Sequence, residues 1–126
     1  MKIILDTSAW IEYLRGSKEG GIVNDYIKNH EIVTPVVVLL ELSYRADKEG
    51  WNFQQHLNFI KIKSEIVGIN ESSILKFGKI YNEQRKRLKS FGFADAIILM
   101  TALDKDAKIA TKDRHFKGLN EAIMLS

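Results

Sequence analysis

The sequence contains no cysteine, only one proline and no long hydrophobic run. Without cysteine, the chain can form neither a disulfide framework nor a thiolate metal site. Its longest uninterrupted apolar runs, at residues 36–40 and 96–100, fall far short of the ~18 residues of a membrane-spanning helix. The start of the chain, MKIILD, reaches an aspartate too early for a signal peptide. These absences predict a cytoplasmic protein with no membrane association.

What is present is typical of an ordinary globular protein. Of the 126 residues, 45% are hydrophobic and 28% are charged, and the formal net charge is +3. No repeat, low-complexity tract or linker divides the chain, so we predict one domain over residues 1–126. The small positive charge favours an anionic partner.

Short strand-like runs alternate with helical stretches along the chain. The alternation predicts an α/β domain with a central, mostly parallel sheet flanked by helices. Thr34 and Pro35 form a helix-start signal, with Thr34 as the cap and Pro35 as the first helical residue. Asn70 is predicted to cap another helix, with Ile74, Phe77, Gly78 and Tyr81 facing inward. Strands are predicted at 2–5, 31–33, 65–69, 108–111 and 122–125, and helices at about 7–15, 21–28, 35–47, 52–62, 71–88 and 94–105.

Glu41 is the single charge in the apolar stretch PVVVLLELSY, residues 35–44. On a helix its neighbours three and four positions away are mostly apolar, which indicates a packed face: Val37, Val38, Tyr44 and Arg45. An ionised carboxylate is costly in such surroundings unless something neutralises it. The candidates are Arg45, a structural partner elsewhere and a bound cation.

Three further acids stand where a strand ends or a helix begins. Asp6 follows the first strand, Asp113 lies two residues after the strand KIAT, and Asp95 opens the helix in FGFADAIILMTAL. Ligands bind open α/β sheets outside the carboxyl ends of the strands. We therefore expect these three acids and Glu41 to converge at one edge of the sheet.

Each of these acids also has a purely structural interpretation. Asp6 and Asp95 are suited to capping helices, and Asp113 is suited to starting a turn. Asp104 and Asp106 precede the strand KIAT, so we expect them at the opposite edge of the sheet, as solvated turn residues.

Four carboxylates in one pocket repel one another. Two charges ~4 Å apart cost roughly 4 kcal/mol at an effective dielectric constant of 20, so the cluster must bind protons or a cation. With no cysteine and no histidine pair at ligand spacing, an all-oxygen site favours Mg²⁺ or Mn²⁺. His30 and His56 are predicted to be surface or packing residues, whereas His115 stands two residues from Asp113.

The sequence around these residues resembles that of PIN-domain ribonucleases, specifically the VapC-type toxins of VapBC toxin–antitoxin pairs. The resemblance spans almost the whole chain, through ILDTSAWIEYL, TPVVVLLELSYRA, RLKSFGFADAIILMTAL and IATKDRHF. The one departure is the apolar FGFA before Asp95, where relatives are often more polar. The resemblance implies a PIN-like three-layer fold with about five strands, RNA cleavage that depends on Mg²⁺ or Mn²⁺, a homodimer and a cognate antitoxin. It assigns the site to Asp6, Glu41, Asp95, Asp113 and the strand-end hydroxyl of Thr111.

Roles can be suggested for these side chains. Asp6 and Asp95 are the first candidates for direct metal ligands, and Glu41 and Asp113 would complete the shell, orient water or act as general base. Thr111 would hydrogen-bond an acid or the attacking water. Thr7 and Ser8 are expected to cap the first helix and only to border the site.

A basic segment, RKRLKS, lies just upstream of Asp95. Its four cations are candidates for contacts with RNA phosphates: Arg85, Lys86, Arg87 and Lys89. The alternative is a solvated helix end, because lysine and arginine are favoured at helix C-termini.

Other functions fit less well. A dehalogenase-type phosphatase needs Asp-x-Asp after the first strand, whereas this chain has Asp6-Thr7-Ser8. A phosphoacceptor receiver domain has an acidic pocket, but a glutamate within a helix does not match it. A non-catalytic PIN-like scaffold that binds RNA or protein would be expected to lack one or more of the acids, and all four are present.

Overall fold

The structure of the protein, a computed structural model, describes all residues from 1 to 126. The strands are β1 (Lys2–Leu5), β2 (Glu31–Pro35), β3 (Glu65–Val67), β4 (Lys108–Thr111) and β5 (Ala122–Met124). The helices are α1 (Thr7–Arg15), α2 (Lys18–Asn29), α3 (Val36–Glu49), α4 (Phe53–Lys63), α5 (Glu71–Arg87) and α6 (Phe93–Lys105), and a 3₁₀ turn spans Arg114–Phe116. None of the helices combines the length and the apolar character needed to cross a membrane.

The five strands form one sheet in the order β3-β2-β1-β4-β5, and every neighbouring pair is parallel. The predicted α/β fold with a parallel sheet of about five strands is confirmed. The chain starts in the middle at β1, builds one half of the sheet through β2 and β3, and then crosses to β4 and β5 on the other side. The order therefore reverses between β1 and β4, where open α/β sheets form a ligand crevice. Doubly wound receiver-type domains have the order 2-1-3-4-5, so this sheet excludes that rival.

The core lies on both sides of the central strand. Ile3, Ile4 and Leu5 are completely buried, as is typical of a parallel strand covered by helices on both faces. Trp10 of α1 and Leu42 of α3 belong to the same apolar cluster. This packing fixes the carboxyl end of β1, and so the position of Asp6.

Helix α2 begins at Lys18, three residues earlier than predicted, because Ser17 caps it. The Ser17 hydroxyl accepts a hydrogen bond from the Gly20 amide at 3.0 Å. Gly20 and Gly21 both lie within the helix. Gly20 is buried where α2 crosses α1, which explains why a residue without a side chain occupies this turn.

We expect Gly20→Ala to destabilise the protein and Gly21→Ala to stabilise it slightly. A Cβ atom at Gly20 would lie 2.8 Å from the Glu12 carbonyl carbon, whereas one at Gly21 would contact nothing within 4 Å. Overpacking of this kind typically costs about 1–3 kcal/mol, while alanine gains roughly 0.5–1 kcal/mol over glycine within a helix. Urea unfolding midpoints of the two variants measure the difference. Equal midpoints would show that α1 and α2 are not packed this closely.

The predicted start of α3 is wrong by one residue, and its predicted cap is wrong. Thr34 is fully buried in β2 and shares a 2.9 Å hydrogen bond with the hydroxyl of Ser64. Pairing with β3 keeps β2 extended through Pro35, so Pro35 precedes the helix and Val36 begins it. Tertiary pairing overrides the local helix-start signal here.

Helix α5 is capped by Asn70 as predicted, with the Ser73 amide donating to Asn70 Oδ1 at 2.9 Å. Its inward face is narrower than expected, because Ile74 is 62% exposed and Gly78 is also exposed. Ser73 is the one buried residue of α5, since the helix lies at the margin of the fold and packs mainly against α6.

The two acids near the start of β4 differ from one another. Asp106 ends α6 in the left-handed region, with φ of 52°, and lies beside Lys2 at the amino end of β1. Asp104 is not a solvated turn residue, because it lies within α6 and accepts a hydrogen bond from the Ser73 hydroxyl. Its other oxygen is 3.5 Å from Lys76 Nζ. The expected position away from the strands' carboxyl ends holds for Asp106, and Asp104 has a structural role in joining α6 to α5.

Candidate active site

An open cavity of about 350 Å³ lies at the carboxyl ends of β1 and β4, and it contains all four predicted acids. Asp6 comes from the end of β1, Glu41 from α3, Asp95 from the first turn of α6 and Asp113 from the segment after β4. The other lining residues are Thr7, Ser8, Ile11, Glu12, Arg15, Arg45, Ile98 and Lys112. The four carboxylates therefore line one cavity at the switch point of the sheet.

Asp6 is a helix cap and a member of the cluster at the same time. Its side chain is almost completely buried, and Oδ1 accepts hydrogen bonds from the Ala9 amide at 2.9 Å and the Ser8 hydroxyl at 2.7 Å. Oδ2 accepts a hydrogen bond from the Thr111 hydroxyl. The capping interpretation and the site interpretation of Asp6 are thus compatible. Oδ1 caps the helix, and Oδ2 contacts Thr111 in the site.

Burial raises the pKa of Asp6 from 3.8 to about 6. Loss of hydration is the largest cause, and hydrogen bonds from Thr111, Ala9 and Ser8 oppose it. The nearby carboxylate of Asp113 raises the pKa further. Burial therefore makes ionisation of Asp6 unfavourable, and a bound cation would offset this free-energy cost.

Glu41 does not pair with Arg45. The Thr7 hydroxyl donates to Glu41 Oε1 at 2.6 Å, and Arg45 instead contacts Glu49 at 2.7 Å. The expected packed face is only partly present, because Tyr44 is 65% exposed. Glu41 therefore stands at the boundary between the α3 core face and the cavity, with no basic partner.

Asp95 and Asp113 are joined through His115. Asp95 Oδ2 accepts from the Gly92 amide at 2.8 Å and lies 2.8 Å from His115 Nδ1. Asp113 Oδ1 accepts from the His115 amide at 2.9 Å. Ligand atoms of these three side chains all lie within 4.8 Å of one another.

The hydroxyl residues of the cavity organise the acids. Ser8 Oγ accepts from the Lys112 amide at 2.9 Å, and Thr111 Oγ1 accepts from the Asp113 amide at 2.8 Å. Thr7 and Ser8 were expected to cap α1, but Asp6 caps it and the two hydroxyls bind carboxylates instead. These contacts attach the segment after β4 to the end of β1.

Three of the acids keep one oxygen that receives no hydrogen bond from the chain. These atoms are Glu41 Oε2, Asp95 Oδ1 and Asp113 Oδ2, while the second oxygen of each is held by Thr7, by Gly92 and His115, or by the His115 amide. Carboxylates oriented in this way, with oxygens left over, suit a hard cation such as Mg²⁺ or Mn²⁺.

Glu12 is a site residue that the sequence reasoning missed. It is only 6% exposed, lines the cavity, and lies 3.3 Å from Arg15 Nη1 and 3.6 Å from Lys112 Nζ. Its spacing of four from Ser8 placed it on the cavity side of α1 and was the available signal. The buried carboxylate holds two cations at the rim of an otherwise acidic cavity.

The four basic side chains near the end of α5 lie in different environments. Arg85 lies over the ring of Tyr81 at 5.5 Å, and Lys86 and Lys89 are exposed. Arg87 contacts backbone carbonyl groups after β4. The arginine and lysine side chains that line the cavity are instead Arg15, Arg45 and Lys112.

A parallel α/β sheet with four carboxylates lining a cavity at its switch point is the arrangement that the structure presents. Residues 3–122 match the PIN domain family. The chain therefore belongs to the PIN-domain family, as the sequence motifs predicted.

A curated relative and several solved structures are similar to this chain. Ribonuclease VapC1 of Methanocaldococcus jannaschii is 33% identical over 121 residues, which cover 95% of this chain and 82% of that protein. The structure of VapBC2 from Rickettsia felis, bound to a DNA fragment from the VapBC2 promoter, matches with a TM-score of 0.76 and 22% identity. The match covers 98% of this chain and 97% of that chain. DNA-bound VapBC from Salmonella typhimurium matches with a TM-score of 0.76 and 18% identity, covering 100% and 99%. At these identities the solved structures establish the fold, which is the one predicted.

Proposed function

We propose that this protein is a metal-dependent endoribonuclease that hydrolyses RNA phosphodiester bonds, as the toxin of a type II toxin–antitoxin pair. The observation that carries the proposal is the meeting of Asp6, Glu41, Asp95 and Asp113 in one cavity. The similarity to a ribonuclease over 95% of the chain supports it. In this proposal residues 1–126 act as one nuclease domain in the cytoplasm, where RNA is available.

The four acids have distinct roles in the proposed reaction. Asp6 and Asp95 would bind Mg²⁺ or Mn²⁺ directly. Asp95 would use Oδ1, which receives no hydrogen bond from the chain, and Asp6 would use the second lone pair of Oδ2. Glu41 and Asp113 use their free oxygens to complete the shell or to hold the attacking water, and Thr111 fixes Asp6. The cation supplies Lewis-acid chemistry, by activating water and by neutralising charge on the phosphoryl oxygens.

RNA needs positive charge near this acidic centre. Arg15, Arg45 and Lys112 line the cavity, and in this proposal they contact the phosphates beside the scissile bond. The exposed Lys86 and Lys89 can extend the contact along the strand, because affinity for a polyanion grows with each neutralised phosphate.

The proposed protein partners are a cognate antitoxin and a second copy of this chain. Apolar side chains at the junction of α5 and α6 line a surface pocket, and Ile69, Ile74 and Phe93 among them are more than half exposed. The other lining residues are Phe77, Ile97 and Met100. Contiguous exposed apolar surface of this kind marks protein interaction sites.

Purified protein mixed with a cellular RNA pool tests the function. We expect cleavage with millimolar Mg²⁺ or Mn²⁺, none in EDTA, and recovery when Mn²⁺ is added in excess. Cleavage that continues in EDTA would refute the metal-dependent reaction. RNA binding without cleavage at any cation concentration would instead identify a non-catalytic PIN scaffold.

A further inference from the structure

Arg87, the last residue of α5, connects that helix to the segment after β4. Its Nη2 donates to the carbonyl oxygen of His115 at 2.6 Å, and its Nη1 donates to that of Lys117 at 3.4 Å. Its Nε donates to Gln84 within α5 at 2.7 Å. All three guanidinium nitrogens are therefore engaged within the protein, which makes Arg87 a poor candidate for binding RNA.

The 3₁₀ turn held by Arg87 carries His115 into contact with Asp95. The distance from His115 Nδ1 to Asp95 Oδ2 is 2.8 Å. An ionised carboxylate only accepts hydrogen bonds, so Nδ1 must carry the hydrogen in this contact. The Gly92 amide donates to the same oxygen, and Asp95 Oδ1 remains free of the protein. The carboxylate of Asp95 is thus oriented by two donors on one side.

We propose that His115 and Arg87 are positioning residues of the cation site. Arg87 fixes the turn, and the turn lets His115 hold Asp95 so that Oδ1 is available to the cation. The inference rests on the proposed function for its reaction, but its first readout is cation binding without RNA.

The strength of this effect follows from how metal sites are built. Hydrogen-bond partners behind a ligand fix its orientation, and their loss typically weakens metal affinity or activity by about 10–100-fold. Arg87 acts one step further away, through the backbone of residues 115 and 117. Its planar fork serves two carbonyl groups at once, which the single ammonium of lysine cannot reproduce.

A substitution by asparagine separates positioning from direct participation. The side-chain amide of asparagine can place an N–H group where histidine has Nδ1, but it is not basic. His115→Asn should therefore keep the orientation of Asp95, whereas His115→Ala should lose it. If His115 were a metal ligand or a general base, both variants would be defective.

The measurement is Mn²⁺ affinity, followed by the electron paramagnetic resonance signal of the free ion in a titration of each purified protein. We expect His115→Ala to bind Mn²⁺ about 10–100-fold more weakly and His115→Asn to bind close to wild type. Arg87→Ala should weaken binding and Arg87→Lys should be intermediate. Arg85→Ala, an arginine removed two residues away on the same helix, should leave the affinity unchanged. Circular dichroism confirms that each variant is folded.

RNA cleavage gives a second readout. Single-turnover rates of His115→Ala should recover as the Mn²⁺ concentration is raised, because a positioning defect lowers occupancy. Wild-type affinity in His115→Ala, or equal loss in His115→Asn and His115→Ala, would overturn the inference. If the wild type binds Mn²⁺ and the variants show the expected affinities, but the wild type cleaves no RNA, the proposed function would be refuted. The positioning roles of His115 and Arg87 would still hold. A wild type that binds no Mn²⁺ would overturn both.

Discussion

Asp95→Asn should abolish RNA cleavage and leave the fold intact. Asparagine keeps the shape of the side chain and can still accept the hydrogen bond from Gly92, but it lacks the charge that binds a hard cation. Several kcal/mol of transition-state stabilisation come from such a metal, which corresponds to a loss of about 10³-fold in rate. Single-turnover cleavage of an RNA pool with Mn²⁺ measures the effect, with circular dichroism as the folding control.

The matched control for this variant is Asp106→Asn. Asp106 lies beside the amino end of β1, and asparagine tolerates the left-handed backbone found there. Asp104 is less suitable, because it accepts a hydrogen bond from Ser73. Asp106→Asn should cleave RNA at the wild-type rate. An inactive Asp106→Asn, or an Asp95→Asn that cuts as fast as wild type, would contradict the site assignment.

Asp6→Asn should make the metal-free protein more stable at neutral pH. The pKa of Asp6 is about 6 when folded and 3.8 in its ordinary state, so between these values the folded protein keeps a proton that the unfolded chain has lost. Stability therefore falls as the pH rises through this window, by up to about 3 kcal/mol in total. The penalty is absent below the window and complete above it, and the neutral asparagine avoids it.

Urea unfolding in EDTA between pH 3.5 and 7 tests this result, at about half-unit steps. The gap between Asp6→Asn and wild type should open as the pH passes from about 4 to about 6. Adding Mn²⁺ at pH 7 should then stabilise wild type more than the variant, because the cation binds only the native site with its full charge. Parallel pH profiles for the two proteins would show that ionisation of Asp6 does not destabilise the folded protein.

Much of the candidate site could be predicted because its acids have a local signature. Asp6 and Asp113 follow strands that are recognisable from a few residues, and Asp95 and Glu41 interrupt apolar helices. The parallel sheet then determines where the ends of those strands meet. Local pattern and sheet topology were sufficient for these four positions.

Other features depend on contacts between distant parts of the chain, which no local pattern contains. Thr34 has the residue type of a helix cap but belongs to a strand, because β3 pairs with it. Arg87 belongs to a basic run that is indistinguishable from a solvated helix end, yet it binds carbonyl groups 28 and 30 residues away. The exposed face of α5 was misjudged because periodicity shows which residues share a face but not whether another element covers it.

If the proposed site residues carry the reaction, the position of β4 beside β1 determines how late in synthesis the site can be completed. The first and last acids of the cavity are separated by nearly the whole chain, and Thr111 and Asp113 join Asp6 only after β4 has paired with β1. Domains tend to fold as units, and pairing between distant segments forms late. A growing polypeptide on the ribosome has the helix of Glu41 long before it has Asp113. A ribonuclease built in this way would stay inert next to the messenger and ribosomal RNA that produce it, until its final strands leave the ribosome.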